Sequence, residues 1–217
     1  MNSLAPDVQR DIDGCRAAHA RLLDDIAGLD DEQARRPSML PEWSVGHVLT
    51  HLARNADGLV GMIDGAARGQ LVPQYPSMEA RTDGIEAGAG RPPDVLVADL
   101  RDSIGRLEQR WADATPATWA GSGLTASGPT AIADLPGRRW REVEVHQADL
   151  GLGFSWSDWS GEFVRVDLVR MQMLWASRRP MGMTTLPDAA LAAPPHERLA
   201  WLLGRTAIAG LEPAGIY

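Results

Sequence analysis

The sequence predicts a mainly helical protein, α+β overall, in which a four-helix bundle is followed by a small C-terminal α/β domain. Four stretches of roughly 15 to 25 residues repeat their apolar residues at helical spacing, and four such helices favour a bundle. All four lie before residue 151. After Gly153 the pattern changes to an aromatic cluster, a shorter helix and a strand candidate. We therefore expect a bundle over residues 1–153 and a second domain over residues 154–217.

The bundle helices are predicted at residues 5–28, 44–68, 92–111 and 136–150. Ser44 is a good N-cap for the second helix because its hydroxyl can accept a hydrogen bond from the first turn. Pro136 is tolerated in the first turn of the fourth helix, where the N–H group that proline lacks would have no helical partner. Gly151 ends that helix.

The connections and the tail are predicted from their turn residues. Residues 69–93 are long and rich in Gly and Pro, which is typical of a functional or disordered loop. Residues 119–134 are expected to hold a hairpin with Ser127–Gly128 at its turn. In the tail we expect a helix over 160–178, a strand over 181–186 and a last helix over 196–211.

Composition limits the classes of partner. The chain has 217 residues and a formal charge of −8, which argues against a nucleic-acid or anionic-membrane partner, since both need a basic surface. No signal peptide and no apolar span of about 20 residues is visible, so we expect a cytoplasmic protein that acts on small molecules. The oligomeric state is left open.

Cys15 is the only cysteine, so the chain has no internal disulfide and no paired-cysteine metal site. It lies in the first predicted helix with apolar residues nearby, and we expect it to be buried. Any thiol chemistry would then need a thiol from outside the chain.

Two predicted helices carry side chains that can bind a metal ion. Glu142 and His146 are four residues apart and share a helix face, whereas Glu144 points elsewhere. Asp149 continues that face and is placed to orient His146. By itself this spacing is more typical of a solvent-exposed Glu–His pair than of a metal site.

The second predicted helix contains His47 and His51, also four residues apart, with Asn55 one turn further on. A histidine among apolar neighbours is often only a hydrogen-bonded core residue, and the spacing does not decide between the two. Three N and O ligands from two facing helices, with an open fourth position, are the usual arrangement of catalytic zinc. Manganese, iron or nickel would also accept these ligands.

Three segments resemble the mycothiol-dependent maleylpyruvate isomerases, a branch of the DinB-like metal proteins. They are EWSVGHVLTHLARNADGL around His51, YPSMEARTDGIEAG in the long connection, and RWREVEVHQADLGLG around Glu142 and His146. A fainter similarity continues at WLLGR, which ends at Arg205.

The resemblance implies a DinB-like bundle that binds Zn²⁺ through His51, Glu142 and His146, which selects His51 over His47. It implies mycothiol as the thiol cosubstrate, and isomerisation of maleylpyruvate to fumarylpyruvate in gentisate-type aromatic degradation. It also places a catalytic arginine at Arg205, while Arg81 and Tyr75 lie in the matched connection and are candidates for binding substrate or thiol.

The residues by themselves leave three other functions open. The same zinc–thiol site would suit a mycothiol S-transferase that joins the thiol to an electrophile, and a zinc hydrolase would need no thiol. A non-catalytic DinB-like module that binds a metal or a thiol is the third alternative. Only the resemblance favours mycothiol over glutathione, and maleylpyruvate over another electrophile.

Overall fold

The computed structural model describes residues 4–179 and 185–216 of the chain. These residues form two compact units, one ending at Leu152 and the other beginning at Gly153. The protein is mainly helical, as predicted, with one two-stranded hairpin among the described residues.

The first unit contains the four predicted long helices, with three shorter helices and the hairpin between them. In chain order its elements are α1 (Pro6–Asp25), α2 (Asp31–Arg35), α3 (Val45–Ala67), α4 (Met78–Ala89), α5 (Pro93–Asp113), α6 (Pro116–Trp119), β1 (Ser122–Thr125), β2 (Gly128–Ala131) and α7 (Leu135–Asp149). Helix α3 lies at the centre and packs against α4, α5 and α7, while α1 packs against α5 and α7. The core of the bundle is therefore built around α3.

Both ends of α3 are fixed by local signals in the sequence. Ser44 caps the N-terminus: its hydroxyl accepts from the backbone N–H of His47, and the His47 ring Nδ1 accepts from the N–H of Ser44. This reciprocal pair is a capping box. At the other end Gly69 has a φ of +68°, and the N–H of Gln70 bonds to the carbonyl of Gly65. Such a left-handed glycine terminates a helix cleanly.

The connection over residues 69–93 is not a plain loop, which corrects the prediction. It contains α4, whose N-cap Ser77 accepts from the N–H of Ala80 at 3.0 Å. The helix packs on α3 so closely that a Cβ on Gly46 would lie 2.2 Å from the carbonyl oxygen of Ala89. The segment's own glycines, Gly84, Gly88 and Gly90, are poor helix formers. They obscured the helix in the sequence, because the packing of this segment on α3 is not visible there.

The hairpin is present, with its turn one residue earlier than predicted. Thr125 lies opposite Gly128, so the two-residue loop is Ala126–Ser127 and Gly128, with a φ of +111°, begins β2. Leu124 of β1 also exchanges backbone hydrogen bonds with Val72 and Gln74, at 3.0 and 2.9 Å. This pairing anchors the start of the long connection.

The second unit contains α8 (Gly161–Ser177), α9 (Asp188–Ala192) and α10 (Pro195–Leu202), and α8 packs against α10. Helix α8 was predicted, but the last helix ends at Leu202 rather than near residue 211. Gly204, with a φ of +71°, ends it, and the Arg205 N–H bonds back to the Ala200 carbonyl. Residues 181–184 of the predicted strand lie outside the described residues.

None of the helices described here has the length and the apolar character that crossing a bilayer requires.

The contact between α3 and α4 leads to a stability prediction. We expect Gly46→Ala to destabilise the protein by about 1–3 kcal/mol, because the new methyl group overlaps a backbone oxygen. Gly105→Ala is the control: this glycine is exposed in the middle of α5 with nothing near its Cβ. It should stabilise by about 0.5–1 kcal/mol, as measured by urea unfolding, and equal effects at the two positions would contradict the packing.

Candidate metal centre

Three potential metal ligands meet where α7 packs against α3. His51 lies in the second turn of α3, and Glu142 and His146 are one turn apart on α7. The carboxylate Oε2 of Glu142 is 3.2 Å from Nε2 of His51 and 3.5 Å from Nε2 of His146. One ligand atom from each residue lies within 4.8 Å of the others. A cation at this point would be held by two nitrogens and one oxygen.

His146 is held in orientation by the carboxylate that follows it on α7. Its Nδ1 is 2.8 Å from Oδ2 of Asp149, which is itself buried. A carboxylate on the far ring nitrogen of a ligating histidine fixes the ring and leaves Nε2 free for the metal. Asp149 therefore has the orienting position that its spacing suggested.

The surroundings set different protonation states for the three ligands. Burial lowers the pKa of His51 to about 4, and the hydrogen bond with Glu142 offsets this only in part. Burial alone would raise the pKa of Glu142, but hydrogen bonds to His146 and His51 hold it well below its usual range. For His146 burial is outweighed by hydrogen bonds to Asp149 and Glu142, so its pKa is raised. Near neutral pH, His51 is thus neutral and Glu142 is ionised.

Nδ1, the ring nitrogen of His51 that does not contact Glu142, lies next to an arginine, which is an unusual neighbour for a metal ligand. Nη2 of Arg81 lies 3.2 Å from Nδ1 of His51, and because a guanidinium can only donate, Nδ1 must accept. The proton of the neutral ring is then on Nε2, directed at Glu142. Metal binding through Nε2 would move that proton to Nδ1, which requires Arg81 to leave this contact.

The donor set nevertheless fits zinc. Two imidazole nitrogens and one carboxylate oxygen, with one position left to an outside ligand, match the usual composition of catalytic zinc sites. Two of the three side chains are buried, and Asp149 supplies the orienting contact for one of them. His51, Glu142 and His146 are therefore the residues that would hold the ion.

A cavity of about 550 Å³ opens beside the three ligands, and all of its lining comes from the first unit. Helices α3, α4 and α7, the start of the long connection and the hairpin all contribute to it. The lining residues are His51, Asn55, Pro73, Gln74, Tyr75, Ser77, Met78, Arg81, Leu124, Thr125, Ala126, Glu142 and His146. The volume lies within the range of small-molecule sites.

Tyr75 and Arg81, the two candidates from the long connection, both line this cavity. The Arg81 guanidinium carbon lies 5.8 Å from the centre of the Tyr75 ring and 6.0 Å from that of Trp43. Burial raises the pKa of Tyr75, although the nearby Arg81 opposes the shift. The segment thus places one cation and one phenol beside the possible metal ligands.

The structure also describes His47, Cys15 and Arg205, the three further residues considered from the sequence. His47 belongs to the capping box of α3 and lies 3.4 Å from Glu86, so it is outside the cluster. Cys15 is fully buried and burial raises the pKa of its thiol. Arg205 follows the end of α10 in the second unit, where its Nη1 donates to the carbonyl of Leu203 at 2.7 Å. Its catalytic role stays a prediction.

The sequence patterns indicate no role for several residues at the site. Leu124, Thr125 and Ala126 of the hairpin line the cavity, and the centre of the Trp43 ring lies 5.6 Å from that of the His51 ring. Asn55 is visible in the sequence one turn after His51, but nothing there assigns it a role. The hairpin contributes through tertiary packing that no local pattern reveals.

Comparisons with known proteins agree with this fold. The family model of the mycothiol maleylpyruvate isomerase N-terminal domain matches residues 15–151. A crystal structure of a mycothiol-dependent maleylpyruvate isomerase superposes with a TM-score of 0.80 at 24% identity, covering 92% of this chain and 90% of that one. A histidine-to-alanine mutant of that isomerase gives 0.79 at 23% identity, with the same coverage. No curated protein sequence matches the chain.

The first site prediction separates the two histidines of α3. We expect His51→Ala to lose stoichiometric zinc, because only Glu142 and His146 remain. His47→Ala is the matched control one turn away: it should keep its zinc and lose roughly 0.5–1 kcal/mol of stability through the capping box. Metal analysis after dialysis measures both, and full zinc retention in His51→Ala would remove this residue from the ligand set.

The second prediction concerns the proton on His146. His51 is already neutral and Glu142 ionised near neutral pH, so His146, with its raised pKa, is the ligand that must lose a proton. Its protonated form competes with the metal below that pKa. We therefore expect the apparent zinc affinity to rise as the pH is raised towards the pKa of His146 and to level off above it, with about one proton released per ion below that pKa. Calorimetric titration in two buffers of different ionisation enthalpy counts that proton, and a flat affinity would contradict the assignment.

Proposed function

The chain belongs to the family of the mycothiol maleylpyruvate isomerase N-terminal domain, and from that premise we propose that it is a zinc- and thiol-dependent cis–trans isomerase. Its substrate would be maleylpyruvate, its product fumarylpyruvate and its thiol mycothiol, in gentisate-type degradation of aromatic compounds. The observation that carries the proposal is the cluster of His51, Glu142 and His146 on the wall of a cavity that also contains Arg81.

The reaction needs a nucleophile that adds reversibly to a double bond. Addition of a thiolate turns the double bond into a single bond, which rotates before the thiol leaves again. Cys15 cannot supply this sulfur, because it is fully buried and burial disfavours its thiolate. A thiol from outside, entering through the cavity, fits these facts.

The residues of the cluster have separate tasks in this scheme. When bound, zinc would lower the pKa of a coordinating thiol and so make its thiolate available at neutral pH. His51, Glu142 and His146 would hold the ion, and Asp149 orients the His146 ring through its Nδ1. All three candidate ligands line the cavity, where the thiol and the double bond would meet.

The charged and polar residues of the wall would bind the substrate. Negative charge moves onto the substrate oxygens as the thiolate adds, and a guanidinium near those oxygens stabilises it. Arg81 is the arginine among the described residues of the cavity wall, and if it left its contact with His51 it would be free to bind a substrate carboxylate. Tyr75 lies next to it, and Arg205 is proposed as the catalytic arginine on the family resemblance.

The proposal is tested by turnover of the purified, zinc-loaded protein. We expect loss of maleylpyruvate absorbance with mycothiol present, with fumarylpyruvate as product and the free thiol recovered. Omission of mycothiol, or His51→Ala, should abolish the reaction, and glutathione should replace mycothiol poorly.

The product decides between the alternatives. A stable thioether would identify an S-transferase, turnover without any thiol would identify a hydrolase, and no reaction at all would leave a binding module. Each of these results contradicts the isomerase.

A further inference from the structure

A fully buried arginine lies beneath the cavity without a carboxylate of its own. Arg139 on α7 precedes Glu142 by one turn and has no exposed surface. Its Nε donates to Nε2 of His19 at 3.1 Å, and its Nη1 donates at 2.8 Å to two oxygens, the backbone carbonyl of Leu52 and Oδ1 of Asn55. Within the described residues all of its acceptors are uncharged, and Nη2 has no partner.

The directions of these hydrogen bonds follow from the chemistry of arginine. A guanidinium has donors only, so Nε2 of His19 must accept. The proton of that ring is then on Nδ1, which donates to Oε1 of Glu108 at 2.8 Å. Burial lowers the pKa of His19 to about 4, in keeping with a neutral ring. The same rule requires the side-chain oxygen of Asn55, not its nitrogen, to face Arg139.

Asn55 is therefore held in one of its two amide orientations. It lies one turn after His51 on α3 and lines the cavity beside the possible metal ligands. Because Oδ1 is turned to Arg139, the NH₂ group is the polar edge left for the cavity. An NH₂ group with a buried cation behind it is suited to an oxygen that carries negative charge.

A buried positive charge without an ion pair is costly unless something compensates it. Arg139 interacts electrostatically with Glu142 and Tyr75, both of which line the cavity. An anionic ligand in the cavity would add to the negative charge that Glu142 already places near Arg139.

We propose that Asn55, positioned by Arg139, binds a carboxylate or carbonyl oxygen of a small anionic ligand at the floor of the cavity. This subsite would complement Arg81, so that the cavity holds a dicarboxylate or an oxo acid at two points. The proposal rests on the proposed function only for the identity of that ligand.

The test is calorimetric binding of maleate, a cis dicarboxylate, to the zinc-loaded protein without thiol. Asn55→Ala removes the donor without adding charge and should weaken maleate binding roughly 10- to 100-fold. Asn55→Asp also removes the donor but keeps the acceptor for Arg139. It should weaken binding at least as much while its melting temperature equals or exceeds that of the parent. Zinc content is measured in each variant.

Ser103→Ala is the matched control, because it removes a buried hydrogen bond of α5, to the Leu100 carbonyl at 2.9 Å, away from the cavity lining. It should lower the melting temperature and leave maleate affinity unchanged.

Parent-like affinity in Asn55→Ala would overturn the proposal, even if Asn55→Asp binds poorly through charge repulsion alone. Failure of the parent to bind maleate would overturn it as well, and a large loss of stability in Asn55→Asp would contradict the contact with Arg139. Maleate binding that depends on Asn55, without any isomerase turnover, would instead contradict the proposed function and support this subsite.

Discussion

The carboxylate of Glu142, enclosed between two imidazoles, is the interaction on which the site depends. It joins α7 to α3 through His51 and is joined within α7 to His146. Removing a carboxylate from water is costly, and such a contact seldom stabilises a fold in net terms. Its effect is on register, since a shift of α7 by one residue would turn Glu142 and His146 away from His51.

A second polar layer lies one turn away in the same bundle. His19 of α1, Asn55 of α3, Glu108 of α5 and Arg139 of α7 form a continuous hydrogen-bonded chain through the core. Each of the four long helices contributes one side chain to it. The layer links these helices by side-chain hydrogen bonds, with the Glu108 carboxylate at one end and the Arg139 guanidinium, beside Asn55 of the cavity lining, at the other.

Together the two layers determine which charges lie around the cavity. The ligand cluster offers a site for a cation, and Arg81 at the wall and Arg139 beneath it supply positive potential for an anion. The hairpin and the start of the long connection pair through Leu124 and form part of the cavity wall. The candidate metal ligands thus come from the helices, and the connections add further lining to the cavity.

The sequence by itself determined the four long helices, α8 and the pairing of Glu142 with His146, because helical period and caps are local properties of the chain. It could not reveal α4, since Gly84, Gly88 and Gly90 are poor helix formers and the contact of Gly88 with Thr50 of α3 has no local signature. Spacing also left His47 and His51 equivalent. The family resemblance selects His51, and the tertiary structure gives the physical difference: His47 closes the cap of α3, and His51, a turn further on, contacts Glu142 of α7. The direction of the Asn55 amide was likewise decided by Arg139, a residue 84 positions away, because a hydrogen bond over that distance in sequence has no local signature.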